Sequence, residues 1–313
     1  MPTYGTATAI GLREDLTDVI YDISPTETPI LSSLARTRAT AVYHEWQTDS
    51  LAAATTANAA VEGADASAAT ISPTVRLGNY AQILTKTVQV SNTLQTVNKA
   101  GRKSEMAYQM SRAAQEQKRD LETIIAANQG RDAGSGSTAR KMGSLLSWLK
   151  TNTSKGTSGT DPTTIGVSTR SDGATRTFTE TLLKDVVKLA FDAGGAPKLL
   201  VVNSGLKQKA SSFSGIAAIR NQANNEAATI VAAADFYLSD FGQLAVTPDR
   251  FVRTRDALLL DPEYAAMAYL RPFETIQLAT VGDSERQQLV CEVTLEMRNE
   301  AAHGIVADLN PSL

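Results

Sequence analysis

The sequence predicts an α+β protein, and three features of its pattern indicate this class. A long amphipathic helix is predicted over 104–128, a projecting pair of strands comes before it, and helices alternate with short buried strands between 177 and 260. The 313 residues include 42% hydrophobic and 5% aromatic residues. A chain of this length buries about three quarters of its unfolded surface on folding, so a sizeable core needs no disulfide or metal.

The first segment, residues 1–45, is predicted to be an extended N-terminal arm. A helix is expected over 12–23, and Pro25 and Pro29 end it because a proline disfavours helical backbone at the preceding residue. A second short helical turn is expected at 30–34. The arm has too few apolar residues to bury itself as a unit, although an ordinary helical hairpin is the alternative.

Residues 46–92 are predicted to form an extended loop. A strand-like segment at 42–47 leads out, and β-branched residues over 76–91 form a strand that leads back. Between Leu51 and Thr70, ten of twenty residues are alanine, with neither helical nor strand periodicity. A compact domain seldom needs such an excursion, so we expect a projecting two-stranded ribbon, with a disordered linker as the alternative.

The helix over 104–128 has the clearest periodicity in the chain. Apolar residues recur at steps of three and four, Ser104 suits the N-cap, and Gly130 occupies the position of a C′ glycine. The glycine-serine loop over 134–139 fits the G-x-G-x-x-A pattern of dinucleotide sites. A helix precedes it where such a site needs a strand, so we interpret it as a surface loop.

An α/β unit follows a polar tract at 151–176 that we interpret as a boundary with surface loops. Thr177 and Glu180 form a capping box that opens a helix, and Gly194 closes it. Further elements are predicted as a strand at 199–202, a helix from Ser204, and strands at 230–238, 243–246 and 257–260.

The chain is predicted to end in a β-hairpin. Residues 289–298 alternate between apolar and polar, a turn at 299–302 follows, and 304–307 forms the return strand. This alternation directs Cys291 inward, where it acts as a small hydrophobic residue.

No constellation of residues predicts catalysis, and no catalytic, cofactor-binding or metal-binding residue is assigned. One cysteine cannot form an internal disulfide, and two histidines, His44 and His303, cannot build a zinc site between them. We expect both histidines at the surface or at an interface. The sequence has neither a signal-peptide pattern nor an apolar run long enough to span a membrane, which favours a cytoplasmic protein.

The net charge of −3 gives no overall attraction to DNA or to an anionic membrane. Residues 99–119 carry a local charge of +4, from six Lys and Arg against Glu105 and Glu116. A solvated helix face explains this run better than a phosphate-binding patch.

The order of these elements resembles the major capsid (major head) protein of tailed bacteriophages, which has the Hong Kong 97-type fold. Two stretches carry the resemblance in sequence: 16–31, which reads LTDVIYDISPTETPIL, and 139–149, which reads ARKMGSLLSWL. The resemblance implies a Hong Kong 97-like major capsid protein fold with these parts: N-terminal arm 1–45, extended β-loop 46–92, peripheral domain 93–150 with spine helix 104–128, axial domain 151–256, and peripheral domain 257–313 with the terminal hairpin.

The resemblance also implies a structural role. Subunits would self-assemble as hexamers and pentamers into an icosahedral shell that encloses double-stranded DNA, formed in the host cytoplasm and found in the virion. Expected partners are further copies of the chain, a portal protein, scaffold or decoration proteins, and packaged DNA through weak non-specific contact, with no membrane. No helical extension precedes the arm, so no fused scaffolding segment is expected.

Arms and loops without a core of their own become ordered on a partner, so we expect intersubunit contacts there. The expected contact residues are Leu16, Ile20, Ile30, Trp46, Glu62, Asp65 and Arg76. The alternatives are an encapsulin-like nanocompartment shell protein, a phage tail or adaptor protein and, least favoured, an α/β enzyme built on 177–260.

Overall fold

The computed structural model describes residues 24–63, 65, 68, 71–99, 101–213 and 235–310. The helices are α1 (Pro29–Ser33), α2 (Asn92–Thr96), α3 (Glu105–Ala126), α4 (Leu145–Trp148), α5 (Glu180–Asp192) and α6 (Ser204–Ser211). The strands are β1 (Ala35–Arg38), β2 (Tyr43–Thr48), β3 (Val75–Tyr80), β4 (Gln82–Ser91), β5 (Thr153–Ser154), β6 (Arg176–Thr177), β7 (Leu199–Val202), β8 (Phe236–Ser239), β9 (Gly242–Pro248), β10 (Ala257–Leu260), β11 (Ala265–Gln277), β12 (Ser284–Met297), β13 (Gly304–Val306) and β14 (Leu309–Asn310). The α+β class predicted from the sequence is confirmed.

A four-stranded sheet forms one half of the body, in the order β1-β11-β12-β4. β11 and β12 form a long antiparallel hairpin, β4 pairs antiparallel with the other edge of β12, and β1 runs parallel to β11. α3 packs against β4 and β12 through Leu121 and Ile125, which are fully buried. The long helix therefore lies along this sheet.

A six-stranded sheet forms the other half, in the order β5-β13-β10-β7-β9-β8. α5 and α6 cover one of its faces. Because successive side chains of a strand point to opposite faces, Leu200 and Val202 of β7 contact these helices, whereas Leu199 and Val201 contact the core that α3 and α4 share. The six-stranded sheet thus separates the two hydrophobic cores.

The long helix predicted over 104–128 is confirmed as α3. Ser104 is its N-cap, since its Oγ accepts a hydrogen bond from the backbone N–H of Ala107 at 3.2 Å. The role expected for Gly130 as a C′ glycine is wrong, because the helix ends at Ala126 and the next residue is already extended. Gly130 instead approaches the carbonyl of Val167 so closely that an added Cβ would lie 1.9 Å from its oxygen.

The predicted terminal hairpin is wrong in its pairing. β12 pairs with β11 and β4, whereas β13 pairs with β10 and β5 in the six-stranded sheet. A 3₁₀ turn at Glu300–Ala302 carries the chain from one sheet to the other. The expected burial of Cys291 is confirmed, but the opposite face of β12 is buried as well, including Glu292 and Thr294.

Three other boundaries differ from the sequence prediction. The returning strand over 76–91 is two strands, β3 and β4, separated at the buried Ala81. α5 has Thr179 as its N-cap, two residues beyond Thr177, where the capping box predicts it. The tract 151–176 is less superficial than expected because Asn152 and Arg170 are buried.

The remaining element predictions are largely confirmed within the described residues. α1, β2, β7, α6, β9 and β10 appear where the sequence predicts them, and Gly194 closes α5 with a φ of +89°. The predicted helix at 12–23 lies outside the described residues, as does the first part of the strand expected at 230–238. The domain boundaries stay predictions. β4, which they assign to the extended loop 46–92, lies in the four-stranded sheet. β10 and β13, which they assign to the peripheral domain 257–313, lie in the six-stranded sheet.

Candidate intersubunit surfaces

The extended loop consists of a paired stem and an irregular tip. β2 and β3 form the antiparallel stem, in register from Tyr43 opposite Tyr80 to Thr48 opposite Val75. None of the described residues between 49 and 74 lies in a helix or a strand. The stem confirms the predicted two-stranded ribbon.

The tip exposes apolar side chains to solvent. Leu51 is 99% exposed, Val61 80% and Ile71 89%. Such side chains gain nothing from the fold of their own subunit, and burying each one on a partner would contribute about 1.5–3 kcal/mol. The described part of the tip therefore leaves apolar surface uncovered in the single subunit.

Asn79 holds the base of the stem in the core. This fully buried side chain donates from Nδ2 to the carbonyl oxygens of Gly143 at 3.0 Å and Leu295 at 2.8 Å, and its Oδ1 accepts from the Gly143 N–H at 2.7 Å. Arg131 adds a hydrogen bond from its guanidinium to the carbonyl oxygen of Gly78. These bonds connect the stem to the loop before α4 and to β12, so the stem leaves the body in a defined direction.

A second set of contacts joins the stem to β12 through Glu296. His44 Nε2 and Thr37 Oγ1 both lie 3.0 Å from Glu296 Oε2, and Arg298 Nε donates to Oε1 at 3.0 Å. Burial opposes ionisation of Glu296, but the hydrogen bonds from His44, Arg298 and Thr37 outweigh it and lower the pKa of this carboxyl. The half-buried His44 thus connects the base of the loop to the sheet.

The structure places the expected contact residues in different environments. Glu62 and Asp65 are exposed on the tip, and Arg76 is exposed on the stem, where it forms an ion pair with Glu45. Trp46 is half-buried, with its ring centroid 5.3 Å from that of Trp148 in the core. Trp46 therefore belongs to the base of the stem rather than to its free surface.

The arm residues differ from the expectation. Ile30 is fully buried in this chain's own core, packed with α3 and α4, so its side chain has no free surface to offer a neighbour. The expectation that the arm lacks partners in its own subunit is wrong for α1. Leu16 and Ile20 lie outside the described residues.

A second exposed apolar surface lies near α5 and β8, and the sequence reasoning missed it. Phe191 is 52% exposed, and its ring centroid is 4.7 Å from that of Phe241. Phe236 and Leu238 of β8 are also exposed, on either side of the buried Tyr237. Three consecutive large hydrophobic residues on a short strand could have indicated this surface, because a strand directs the first and third to the face opposite the second.

His303 does not lie at the surface, contrary to the expectation. It is fully buried, and its Nδ1 accepts a hydrogen bond from the Asp261 N–H at 3.1 Å, which leaves the proton of the neutral ring on Nε2. Burial lowers the pKa of His303 to about 4, so the ring is neutral at pH 7. In the part of the chain that the structure describes, no three His, Cys, Asp or Glu side chains are grouped to hold a metal ion.

Several side chains of the positively charged run over 99–119 are bound within the chain. Lys99 Nζ donates to backbone carbonyls at the end of α2, and Arg102 forms an ion pair with Glu105. The guanidinium groups of Arg102 and Arg112 also lie over the ring of Tyr108, 5.2 and 5.9 Å from its centroid. None of the described helices is long and apolar enough to cross a membrane.

The fold is that of phage capsid and encapsulin shell subunits. The capsid protein of cyanophage A-1(L) superposes with a TM-score of 0.64 at 12% identity, covering 97% of this chain and 98% of that one. The capsid of a native GTA particle gives 0.63 at 13% identity, covering 96% of each chain. The holo-SrpI encapsulin complex from Synechococcus elongatus PCC 7942 gives 0.59 at 10% identity, covering 97% of this chain and 98% of that one.

The sequence defines the family more narrowly. Residues 2–310 match the SU10 major capsid protein family, and the chain belongs to this family. It is 38% identical over 121 residues to the major capsid protein of Escherichia phage Phieco32, a match that covers 39% of this chain and 34% of that protein. The match thus spans about a third of that relative's length. The chain is accordingly a member of a phage major capsid protein family, as the resemblance implies.

Proposed function

We propose that this chain is the shell subunit of a tailed bacteriophage and assembles as hexamers and pentamers into an icosahedral shell that encloses double-stranded DNA. The observation that carries the proposal is the projecting loop, whose tip exposes Leu51 and Ile71 almost completely while Asn79 fixes its base in the core. A subunit whose loop holds apolar side chains away from its own core is suited to bind its neighbours.

The contacts of the shell are proposed to use the loop and the arm. Glu62 and Asp65 on the tip, Arg76 on the stem, and Leu16 and Ile20 in the arm are the proposed contact residues, with Trp46 supporting the base of the stem. Each contact is modest, but a closed shell adds many copies of it, so weak contacts between single subunits give a stable container.

The proposed partners beyond the chain itself are a portal protein, scaffold or decoration proteins, and packaged DNA. A net charge of −3 suits weak, non-specific contact with DNA, because tight binding needs many Lys and Arg contacts to phosphate. Assembly is proposed to take place in the host cytoplasm.

An encapsulin-like compartment is the second candidate, because the chain superposes on an encapsulin with a TM-score of 0.59. The two candidates differ in what the shell encloses. Nuclease-treated particles from infected cells that retain DNA support the phage shell, whereas particles that retain a protein cargo and no DNA support the compartment.

The shell proposal is tested by negative-stain electron microscopy and light scattering of the recombinant chain. Closed particles tens of nanometres across are expected. Deleting residues 52–70 should leave a folded subunit, judged by near-UV circular dichroism, that forms no particles. Normal shells from this deletion would contradict the role of the loop.

A finer test keeps the length of the loop constant. Replacing Leu51, Val61 and Ile71 together by serine should abolish or strongly reduce particle yield without changing the free energy of unfolding of the subunit. Val97→Ser is the matched control, since Val97 is an exposed valine, 55% accessible, on a different surface. Equal particle yields from the two variants would contradict the assignment of the tip as a contact surface.

A further inference from the structure

The sequence contains a single Asp–Gly pair, Asp172–Gly173, and no Asn–Gly pair. Such a pair is reactive in an unfolded chain, because glycine has no side chain to hinder the approach of its nitrogen to the preceding carboxyl. The nitrogen of Gly173 attacks Cγ of Asp172 and loses its proton, a C–N bond forms, and one carboxyl oxygen leaves as water. Water then opens the succinimide ring at either carbonyl and gives aspartate or isoaspartate, so the net reaction is an isomerisation that needs no further reactant.

The fold requires the glycine of this pair. Gly173 packs so closely against the segment 156–159 that an added Cβ would lie 2.6 Å from the nitrogen of Gly159 and 2.8 Å from the carbonyl oxygen of Thr157. Both neighbours are backbone atoms, so a larger residue at 173 would force the backbone to move. Close packing therefore keeps a reactive pair in the chain.

The backbone nitrogen of Gly173 is held by Asp308, which precedes β14. The Gly173 N–H donates to Oδ1 of Asp308 at 2.8 Å, and Oδ2 accepts from the Gly156 N–H at 2.9 Å. Burial opposes ionisation of Asp308, but these two bonds and the contact with Arg255 outweigh it and lower the pKa of this carboxyl. A hydrogen bond to a buried carboxylate is strong, so the N–H of Gly173 is fixed on Asp308.

Two arginines hold the rest of the pair. Arg255 Nη2 donates to the carbonyl oxygen of Gly173 at 2.6 Å, so the peptide groups on both sides of Gly173 are fixed. Arg253 forms an ion pair with Oδ2 of Asp172, and Arg255 Nη1 lies 3.4 Å from the same oxygen. Because the Asp172 side chain is 36% exposed, these contacts restrain it, rather than exclusion from water.

We propose that Asp172–Gly173 is a latent site of isoaspartate formation that the folded chain keeps closed at both reacting groups. Attack requires the nitrogen of Gly173 to turn toward Cγ of Asp172, which breaks its bond to Asp308. Attack also requires the carboxyl to turn away from Arg253 and Arg255. The site opens when these contacts are lost, through local or global unfolding. This inference concerns the single subunit and does not depend on the shell proposal.

Isoaspartate at 172 would alter the main chain, because it adds a methylene between residues 172 and 173. The residues on the two sides of this point are paired with one segment. Ser171 exchanges two backbone hydrogen bonds with Thr160, both at 3.0 Å, and the Ala174 N–H donates to the carbonyl oxygen of Thr157 at 2.9 Å. A lengthened chain cannot keep both pairings in their present geometry, so we expect modified subunits to be less stable.

Mass spectrometry of the full-length subunit tests the block. The chain is incubated for several weeks at pH 7, folded in buffer or unfolded in urea, and isoaspartate at position 172 is measured in digests by electron-transfer fragmentation. We expect the folded chain to react at least about ten-fold more slowly, because opening breaks the hydrogen bond to Asp308 together with an ion pair. Equal rates would overturn the proposal. A faster reaction in the folded chain would also overturn it, because Asp308 would then be accepting the proton of Gly173.

Variants identify the contacts responsible. Arg255→Gln removes the bonds to Gly173 and Asp308 and should raise the rate in the folded chain toward that of the unfolded chain. Arg298→Gln is the matched control, because Arg298 also donates to one carboxylate and to one backbone carbonyl, in another part of the fold. Arg298→Gln should keep the wild-type rate, and equal rates in the two variants would refute the role of these contacts.

Asp172→Asn separates the two restraints and keeps the test decisive if Arg255→Gln does not fold. The same attack then expels ammonia instead of water and is faster, and the side chain loses the charge that pairs with the arginines. The Gly173 N–H keeps its bond to Asp308. Deamidation of this variant should therefore still be at least about ten-fold slower in the folded chain than in urea. Equal rates would show that Asp308 does not restrain the nitrogen and would contradict the proposal.

Discussion

Replacing Asn79 by aspartate reverses the hydrogen bonding at the base of the extended loop while it preserves the shape of the side chain. Nδ2 of Asn79 donates to two buried carbonyl oxygens, at 3.0 and 2.8 Å, and a carboxylate would present an acceptor to both. Two lost bonds cost about 1 kcal/mol each, and leaving their buried partners unpaired adds about 1–3 kcal/mol. Together with the cost of burying a charge, we expect Asn79→Asp to lower the free energy of unfolding by at least about 4 kcal/mol at pH 7.

Urea denaturation at pH 7 and pH 4 measures this effect. Because the substituted carboxyl is buried against acceptors, its pKa is raised in the folded state, and the deficit should shrink as the pH falls and the group is protonated. Asn128→Asp is the control, since Asn128 is half-buried and donates to a single carbonyl, that of Arg170, at 2.8 Å. A deficit below about 1 kcal/mol for Asn79→Asp, or one equal to that of Asn128→Asp, would refute the role of Asn79 as the support of the stem.

Three further predictions concern the core. Burial lowers the pKa of His303 to about 4 from 6.5, so the unfolded chain binds a proton that the folded chain excludes. The free energy of unfolding should therefore fall by up to about 3 kcal/mol between pH 6.5 and pH 4, and urea titrations of His303→Gln should lack this part of the slope. Burial raises the pKa of the Cys291 thiol to about 12, so a thiol reagent should label it only at the rate of unfolding, and rapid labelling of the native subunit would contradict its burial. Gly166→Ala should destabilise by about 2–3 kcal/mol, because Gly166 has a φ of +74° and an added Cβ would lie 2.7 Å from the ring of Trp148, whereas Gly136→Ala has open space and should change stability by less than about 0.5 kcal/mol.

Elements with strong local signals were predictable from the sequence. α3 combines apolar residues at steps of three and four with a capping serine at Ser104, and the structure starts the helix one residue later. The fully buried strand β7 was predictable from four consecutive aliphatic residues bounded by a lysine and an asparagine. In both cases the pattern depends on neighbours within a few residues.

β11 had no such signal and was missed. It begins with several alanines, which have weak strand propensity, and it contains Pro272, which cannot donate a ladder hydrogen bond. The structure accommodates the proline through register shifts between Tyr269 and Arg271 and between Arg271 and Glu274. Pairing with the long, largely buried β12 decides the strand here, and a local pattern carries no information about that partner.

The burial of α1 was likewise unpredictable, because its partners are remote. Glu122, which caps α1, and Leu121, which packs beside Ile30, follow the arm by about 90 residues. The exposure of the loop tip was predictable for the opposite reason. A stretch rich in alanine with no periodicity has no continuous apolar face to pack against its own subunit.

Residues at the base of the loop and residues at its tip should affect different properties: the base the stability of the subunit, and the tip its assembly. Asn79, Trp46 and Ile30 all lie at the body, in or against the core that contains Trp148, so changes there weaken the subunit before any contact between subunits forms. Leu51 and Ile71 lie beyond the stem, where the subunit gains almost nothing from them. Particle yield plotted against the free energy of unfolding should therefore divide the variants into two groups. Variants at the base should lose particle yield and free energy of unfolding together. Variants at the tip should lose particle yield at an unchanged free energy of unfolding, because the tip side chains make their contacts with other subunits and not with their own.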